Sequence, residues 1–371
     1  MIPLQSTCGI MKLLKILEEI LVIEKYLIGT YTHNTSKGIY QLELDTTANR
    51  LQNLTLVAQA GNPTYLAESQ AHRIYAVDKI VNAEIKDDVH GGVLVLNNQI
   101  PAKELYRHLD PGTNPAYIAI DEERQLLFTA NYHMATVSVY KILANGDIEL
   151  TDRVLDAGQV GPRKEQADGP HPHYANVTPD GRLVVCDLGL DKVYLYDIGE
   201  DNKLYPVSEL QMEPGYGPRH IAFDEHKGVA YLVGELSSNL AVLDYNEEAG
   251  ELKVKQIEST IPADWSAHNG AAAVRISRDG KFVYVSNRGN NTIAVFSTDE
   301  NGHIELVQLA DTLGDFPRDF NFSDDQSLLI VVHQNSNNAT LFKRDAQTGQ
   351  LSVVQRDFSV PEGICVARRT E

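Results

Sequence analysis

The chain has 371 residues, of which 43% are hydrophobic, so it is long and apolar enough to bury a substantial core. Its formal net charge of −19 disfavours binding to nucleic acid or to anionic membrane surfaces, because an acidic protein repels both. The three cysteines, Cys8, Cys186 and Cys365, lack metal-type or CxxC spacing, which indicates reduced thiols and a cytoplasmic protein.

The first 25 residues differ from the rest of the chain. Apolar residues follow a helical spacing between residues 11 and 25, but Lys15, Glu18 and Glu19 interrupt them. A membrane span needs about 20 apolar residues, so this stretch is too charged to cross a bilayer. It also lacks the small-residue cleavage site of a signal peptide. We therefore predict an N-terminal extension over residues 1–25, helical or disordered, followed by one domain over residues 26–371.

Three strands are predicted at the start of that domain. The segments YLIGTYT (26–32), GIYQLEL (38–44) and NLTLVAQ (53–59) are rich in β-branched and aromatic residues. They precede the first copy of a repeated segment, which makes them a partial repeat.

From residue 63 onward, a short segment recurs seven times at intervals of roughly 50 residues, a period typical of propeller blades. Most copies place a proline directly before a short apolar run. The anchors are Pro63, Pro115, Pro172, Pro218, Gly270, Pro317 and Pro361.

One copy shows the internal plan of a repeat. AAAVRIS is predicted as a first strand, and the following Arg278, Asp279, Gly280 and Lys281 as a turn. FVYVSN and TIAVFST form the next two strands, and GHIELVQLA (302–310) forms the fourth. Four antiparallel strands in each of seven repeats predict an all-β, seven-bladed β-propeller.

The two ends of the chain complement each other. After Pro361 there is room for only one strand, GICVA, before the chain stops. One C-terminal strand and the three N-terminal strands make one complete blade, which would close the ring and remove its exposed edges.

Two positions of the repeat are expected at one mouth of the ring, where propeller loops carry ligand chemistry. One position directly follows the anchor, and the other ends the second strand. The first set is Thr64, Ala116, His173, Arg219, Arg318 and Glu362, and the second is Lys79, Tyr132, Gly189, Glu235, Arg288 and Gln334.

At the first of these positions, the early repeats carry small or neutral residues, whereas the later repeats carry basic residues. A ring brings Arg219, Arg288 and Arg318 together, and guanidinium groups match carboxylate or phosphate oxygens. We select His173, Arg219, Glu235 and Arg288 as the candidate catalytic set. The candidate substrate-binding residues are His171, His220, His268, Asn269, Arg318, Asp319, His333 and Gln334. The alternative is that single members only satisfy backbone groups at strand ends.

No cofactor or metal is expected. Carboxylates near these positions are few, namely Asp187, Glu235 and Asp319, whereas an oxygen-rich calcium site needs more. The sequence also lacks a GxSxG elbow, a P-loop and an HExxH helix.

From about residue 26 to residue 367 the chain resembles the seven-bladed propeller lactonase family, which includes propeller-type 6-phosphogluconolactonases. The fungal carboxy-cis,cis-muconate lactonizing enzyme shares that fold. The resemblance rests on GPRHIAF (217–223), GELSSNLAVLDY (234–245), VSNRGNNTIAVFS (285–297) and FPRDFNF (316–322). It implies a catalytic set of one His, two Arg and one Glu, which falls on His173, Arg219, Arg288 and Glu235. HPHYANV departs from the family pattern by an additional histidine, His171, which leaves open which histidine faces the substrate.

The resemblance implies hydrolysis of a small anionic sugar lactone, with 6-phosphogluconolactone as the leading substrate. Glu235 or His173 would activate water, Arg219 or Arg288 would stabilise the oxyanion, and Arg318 with the remaining arginine would hold the phosphate. The alternatives are a muconate-type lactonizing isomerase and a non-enzymatic propeller scaffold. We expect a monomer or a weak homodimer.

Overall fold

The computed structural model describes residues 23–82, 85 and 88–370. Its 28 strands form seven four-stranded antiparallel sheets, which confirms the predicted seven-bladed propeller. Within these residues the only helix is a single 3₁₀ turn, Lys164–Gln166, and no helix is long and apolar enough to cross a membrane.

Blades 1 to 6 are each built from four consecutive strands, ordered from the central axis outward. Blade 1 contains β4 (Leu66–Glu68), β5 (Arg73–Val81), β6 (Val89–Asn97) and β7 (Glu104–Pro111). Blade 2 contains β8 (Tyr117–Asp121), β9 (Leu126–Asn131), β10 (Thr136–Ile142) and β11 (Ile148–Leu155). Blade 3 contains β12 (Pro172–Val177), β13 (Leu183–Asp187), β14 (Lys192–Ile198) and β15 (Leu204–Gln211). Blade 4 contains β16 (Pro218–Asp224), β17 (Val229–Gly234), β18 (Asn239–Asn246) and β19 (Glu251–Ser259). Blade 5 contains β20 (Gly270–Ile276), β21 (Phe282–Arg288), β22 (Thr292–Thr298) and β23 (Ile304–Asp311). Blade 6 contains β24 (Pro317–Phe322), β25 (Leu328–His333), β26 (Asn338–Arg344) and β27 (Leu351–Ser359).

Blade 7 joins the two ends of the chain. It consists of β28 (Gly363–Arg368), β1 (Ile23–Thr30), β2 (Gly38–Asp45) and β3 (Arg50–Gln59), with β28 innermost. This is the predicted closure by one C-terminal and three N-terminal strands. The innermost strands contact one another in the ring order β4, β8, β12, β16, β20, β24 and β28, and β28 contacts β4 in turn.

The start of β1 differs from the expected domain boundary. We predicted a non-propeller extension through residue 25, but β1 begins at Ile23 and pairs Ile23 with Asp45. Glu24 contributes to this earlier start because its carboxylate accepts hydrogen bonds from the Tyr26 hydroxyl and the Asp324 backbone N–H. The rest of the predicted extension, residues 1–22, lies outside the described residues.

The core lies between neighbouring blades. The second strand of each blade is packed on both faces, and every residue of β25 is buried. The outermost strands face solvent on one side, and β3 accordingly alternates between more and less exposed residues. The Asp279–Gly280 turn also forms as predicted. Gly280 has a φ of +66°, and a Cβ there would lie 2.9 Å from the Asp224 carboxylate, so this turn favours glycine.

Candidate active site

An irregularity at the start of the innermost strands points side chains toward the axis. In blades 3, 4 and 6 the pairing with the second strand shifts directly after the anchor proline. The extra, unpaired residues at these bulges are His173, Arg219 and Arg318. A β-bulge redirects the side chain of its extra residue, and all three line the same cavity. Ile364 of blade 7 occupies the equivalent bulge and lines the cavity as well.

The ends of the second strands lie at the same mouth. Pro218 pairs with Gly234, so Glu235 follows directly beside Arg219. Gly270 pairs with Arg288, which places the Arg288 side chain at the same level in blade 5. These antiparallel pairings explain why the two repeat positions meet although they are far apart in sequence.

All seven blades contribute to one cavity of about 410 Å³. Its lining residues are Tyr31, His33, Asn62, Thr64, Tyr65, Lys79, Thr113, Asn114, Pro115, Ala116, Tyr132, His133, His173, Arg219, His220, Glu235, Arg288, Arg318, Asp319 and Ile364. Four of these side chains are cationic and two are carboxylates, so the lining carries a formal excess of two positive charges when its histidines are neutral. The cavity is therefore cationic within a chain whose net charge is −19.

Glu235 is clamped by two arginines. Its Oε2 lies 2.9 Å from Arg219 Nε and 2.8 Å from Arg288 Nη2. The Arg219 contact is an ion pair without good hydrogen-bond alignment, because Arg219 Nε has no hydrogen-bond partner among the described residues. Arg288 is also fixed from behind, since it donates from Nε to Gly270 O (3.0 Å) and from Nη2 to Ala271 O (3.2 Å).

The arginines keep Glu235 ionised. Burial by itself would raise the pKa of Glu235, but Arg288, Arg219 and Arg318 together outweigh burial and lower that pKa below its usual value of 4.5. Burial lowers the pKa of Arg219 to about 9, and the neighbouring Arg288 adds to this effect, so Arg219 stays charged at neutral pH. At neutral pH Glu235 is therefore negatively charged and Arg219 is positively charged.

His173 faces this cluster as a neutral imidazole. Burial holds its pKa well below the ordinary 6.5, and the positive charge of Arg219 and its other neighbours lowers it further. Its Nδ1 is buried and has no hydrogen-bond partner in the described part of the chain. A buried polar atom without a partner costs about 1–3 kcal/mol, so this arrangement suits a group that acquires its partner from a ligand.

Aromatic rings form the floor of the cavity. Tyr65 and Tyr117 have ring centroids 4.1 Å apart, and those of Tyr117 and Tyr174 are 4.5 Å apart. The His220 ring contacts all three and lies 5.2 Å from the His173 ring. Tyr65 and His220 also border a second cavity of about 430 Å³, which Tyr117 and Tyr174 line as well, so these rings lie between the two cavities.

Of the two histidines in HPHYANV, His173 lines the cavity and His171 does not. The His171 ring stacks on Tyr132 with centroids 4.0 Å apart. Its Nδ1 lies 2.8 Å from Tyr132 O and its Nε2 lies 2.9 Å from Asp168 Oδ1. Both ring nitrogens are engaged by protein groups, so the structure places the predicted substrate-binding residue His171 behind Tyr132 and outside the cavity lining.

Four further predicted substrate-binding residues lie outside the cavity lining. His268 is exposed beside the loop that precedes β20, and Asn269 bonds Ser238 and the Asn290 backbone. His333 is buried within blade 6, where its Nδ1 lies 3.1 Å from Asn338 O. Gln334 lies behind Arg318 and accepts a hydrogen bond from its Nη1 at 3.4 Å. Asn269, His333 and Gln334 are thus engaged by neighbouring protein groups, whereas His268 faces solvent.

Asp319 does line the cavity, but it is held by its neighbours. Its Oδ1 lies 3.1 Å from Arg275 Nη2, and its Oδ2 accepts a hydrogen bond from the Val366 backbone N–H at 2.9 Å. These contacts link blades 5, 6 and 7, which is a structural role for a residue expected to bind substrate.

Several cavity residues were missed from the sequence. Tyr31, His33, Asn62, Asn114 and His133 come from loops of blades 7, 1 and 2. Asn62 and Asn114 both directly precede an anchor proline, a shared signal that could have found them. The other three residues lie in loops without a common residue type, so comparing repeats gave no signal for them. Among the described residues, no group of three or more His, Cys, Asp or Glu side chains is arranged to hold a metal ion.

Comparison with known proteins agrees with this architecture. Residues 25–368 match the family model of the seven-bladed β-propeller lactonases. A 6-phosphogluconolactonase from Bacillus subtilis is 37% identical over 346 residues, covering 91% of this chain and 96% of the relative. A solved Lactobacillus plantarum protein is 49% identical, with a TM-score of 0.89 and coverage of 94% of this chain and 99% of the other.

A further solved structure, the periplasmic gluconolactonase of Pseudomonas aeruginosa, is 27% identical with a TM-score of 0.85. The alignment covers 94% of this chain and 99% of that one. The family model, the sequence relative and the solved structures all span nearly the whole propeller. The chain therefore belongs to the seven-bladed β-propeller lactonase family.

Proposed function

We propose that this protein hydrolyses 6-phospho-D-glucono-1,5-lactone to 6-phosphogluconate. The observation that carries the proposal is the cluster of His173, Arg219, Glu235 and Arg288 around one cationic cavity. A positive cavity in an acidic protein favours an anionic ligand. The activity named for the Bacillus subtilis relative supports the same substrate.

The reaction requires water to add to the lactone carbonyl. As the new carbon–oxygen bond forms, the carbonyl oxygen becomes an oxyanion that Arg219 and Arg288 stabilise from fixed positions. When the intermediate collapses, the bond between the carbonyl carbon and the ring oxygen breaks. The ring oxygen takes the proton that was removed from the attacking water and becomes a hydroxyl group, and the new carboxylic acid releases its proton to solvent to give the carboxylate. Removing one such oxyanion donor costs about 10²–10³ in kcat.

His173 is the better candidate for activating water. Glu235 is held by two arginines at its Oε2 and has a lowered pKa, which makes it a weak base. The pKa of His173 is lowered as well, but its imidazole is neutral and its Nδ1 lacks a partner among the described residues, so that nitrogen is not tied to an arginine as the Glu235 carboxylate is. An anionic substrate would offset the neighbouring positive charge and raise the basicity of His173. We assign the water-activating role to His173 and the alignment of both arginines to Glu235.

The cellular setting follows from the substrate. A phosphorylated sugar lactone does not cross membranes freely, so we propose that the protein acts in the cytoplasm, in the pentose phosphate pathway. Cys186 and Cys365 are buried and unpaired with each other, in keeping with a reducing compartment.

A lactone panel tests the proposed function. Initial rates are measured for 6-phosphogluconolactone, D-glucono-1,5-lactone and a muconate, each corrected for spontaneous opening. Arg288→Ala should lower kcat for the phosphorylated lactone about 10²–10³-fold without abolishing cooperative unfolding. Arg278→Ala, which removes an exposed arginine outside the cavity, is the matched control. Unchanged lactonase rates in Arg288→Ala would refute the proposed role, and turnover of muconate alone would favour a lactonizing isomerase.

A further inference from the structure

The wall of the cavity opposite the arginine cluster carries one further cation, Lys79. Lys79 lies near the end of β5 in blade 1, whereas Arg219 and Glu235 belong to blade 4 and Arg288 to blade 5. In a closed ring of seven, blade 1 lies across the axis from blades 4 and 5. Lys79 occupies the same repeat position as Glu235 and Arg288, so it faces them at the same mouth.

The backbone of Lys79 is firmly held. Its N–H donates to Gly61 O at 2.8 Å, and Gly61 N–H donates to Asp78 Oδ1 at 2.7 Å. Asp78 is fully buried and its Oδ2 lies 3.0 Å from Arg107 Nη1. A Cβ on Gly61 would lie 1.8 Å from Lys79 O, so glycine is required for this close approach. The strand end that carries Lys79 is therefore preorganised.

The ammonium group of Lys79 has no carboxylate within ion-pair distance among the residues that the structure describes. Arg219 and Arg288, by contrast, both contact Glu235. Arg318 also lacks a carboxylate partner in the described chain, but it sits on the arginine side, where its charge acts on Glu235 and Arg219. Counting only the described residues, Lys79 is thus the far-wall cation without a carboxylate partner. It lies near His133, whose pKa is lowered first by burial, then by His171, and also by Lys79.

We propose that Lys79 binds the distal phosphate of the substrate and so selects phosphorylated over unphosphorylated sugar lactones. This inference rests on the proposed function. In 6-phosphogluconolactone the phosphate is carried on C6, and C6 is joined to the lactone carbonyl carbon, C1, through C5 and the ring oxygen. In the open-chain product the C1 carboxylate and the C6 phosphate lie at opposite ends of the molecule. With C1 at Arg219 and Arg288, the product therefore extends its phosphate across the cavity toward blade 1. This revises the sequence-based expectation that Arg318 holds the phosphate.

The test compares selectivity in two lysine variants. Lys79→Met removes the charge and keeps the length, and Lys103→Met removes an exposed lysine of the same blade that does not line the cavity. The ratio of kcat/KM for 6-phosphogluconolactone to that for D-glucono-1,5-lactone should fall about 10- to 100-fold in Lys79→Met, chiefly through KM. The ratio should stay at the wild-type value in Lys103→Met, and Lys79→Arg should recover most of it. An unaltered ratio in Lys79→Met would overturn the inference.

A binding measurement separates this inference from the proposed function. Calorimetric titration with 6-phosphogluconate and with gluconate reports recognition of the phosphate without turnover. If the wild type hydrolyses neither lactone yet binds 6-phosphogluconate more tightly than Lys79→Met does, the proposed function fails and the role of Lys79 stands. If both bind 6-phosphogluconate equally, the role of Lys79 fails whatever the lactonase rates are. Matching thermal unfolding of the variants excludes a folding defect as the cause.

Discussion

His173 shows how a single residue acquires its chemistry from local backbone geometry. It is the extra residue of a β-bulge, which turns its side chain out of the ladder and into the cavity. Two residues earlier, His171 stacks on Tyr132 instead. The same residue type thus has two roles within three positions. Burial beside Arg219 then keeps the His173 imidazole neutral.

The pH dependence of activity should report this environment. Because the pKa of His173 lies well below 6.5, kcat/KM for lactone hydrolysis should stay level as pH falls through 6.5 and decline only at lower pH. His173→Asn should lower the rate about 10²–10⁴-fold and remove that acidic limb. Initial rates across the acidic range, corrected for spontaneous opening, measure both effects. An inflection at or above pH 6.5, or full activity in His173→Asn, contradicts the assignment.

At this scale the sequence predicted that the four members of the candidate catalytic set meet, but not what each of them contacts. Comparing repeats selected His173, Arg219, Glu235 and Arg288, because a ring gathers equivalent positions around one axis. It could not distinguish His171 from His173. The bulge turns only the His173 side chain into the cavity, and apart from the preceding proline no residue type in the sequence marks that bulge. Nor could it exclude His333, whose strand-end position matches the pattern although its side chain is buried in blade 6.

At the scale of an element, the segment after β1 is held by one carboxylate. Glu362 is 4% exposed, and its oxygens accept hydrogen bonds from the backbone N–H groups of His33, Asn34, Thr35 and Ser36 at 3.0–3.2 Å. This segment brings the Tyr31 ring to the cavity, where the Arg318 guanidinium lies 5.5 Å from its centroid. A residue remote from the chemistry therefore sets one wall of the site.

Glu362→Gln should weaken this segment and make stability depend less on pH. Burial would raise the pKa of Glu362, but the backbone hydrogen bonds outweigh burial and lower it below 4.5. A lowered pKa in the folded state means that the carboxylate stabilises the protein above pH 4.5 and that this contribution is lost as pH falls through the lowered value. The variant should lose about 1–3 kcal/mol of unfolding free energy at neutral pH, as measured by urea denaturation.

The same titration at acidic pH provides the check. The difference between wild type and Glu362→Gln should shrink once Glu362 is protonated in the folded protein. Glu305→Gln, which alters an exposed carboxylate on β23, should change stability little at either pH. A Glu362→Gln deficit that is constant with pH would contradict the proposed anchoring by charge.

At the scale of the whole molecule, β28 closes the ring. Ile364, Cys365 and Val366 are almost fully buried, and β28 contacts β24 on one side and β4 on the other. A chain ending at Glu362 would lack this strand and expose the inner edge of β1. We expect this truncation to lose cooperative unfolding and to aggregate, as measured by circular dichroism and size-exclusion chromatography. A chain ending at Thr370 is the control, and an unchanged unfolding midpoint after the larger truncation would contradict closure by β28.

The architecture was the most predictable level. Seven anchors and complementary chain ends specify a closed ring, because each repeat needs both neighbours to bury its sheet faces. The exact start of β1 was not predictable, since the Glu24 contact that extends it to Ile23 comes from a loop 300 residues away. The contribution of Tyr31, His33 and His133 to the cavity was not predictable either, because the loops that carry them do not follow the repeat.

Tyr65, Tyr117, Tyr174 and His220 pack against one another below the cavity lined by Arg288. We expect these rings to block passage along the axis, so that a molecule entering from the Arg288 side leaves by the same route. Product release and substrate binding would then use the same opening, so the product has to leave before the next substrate can enter.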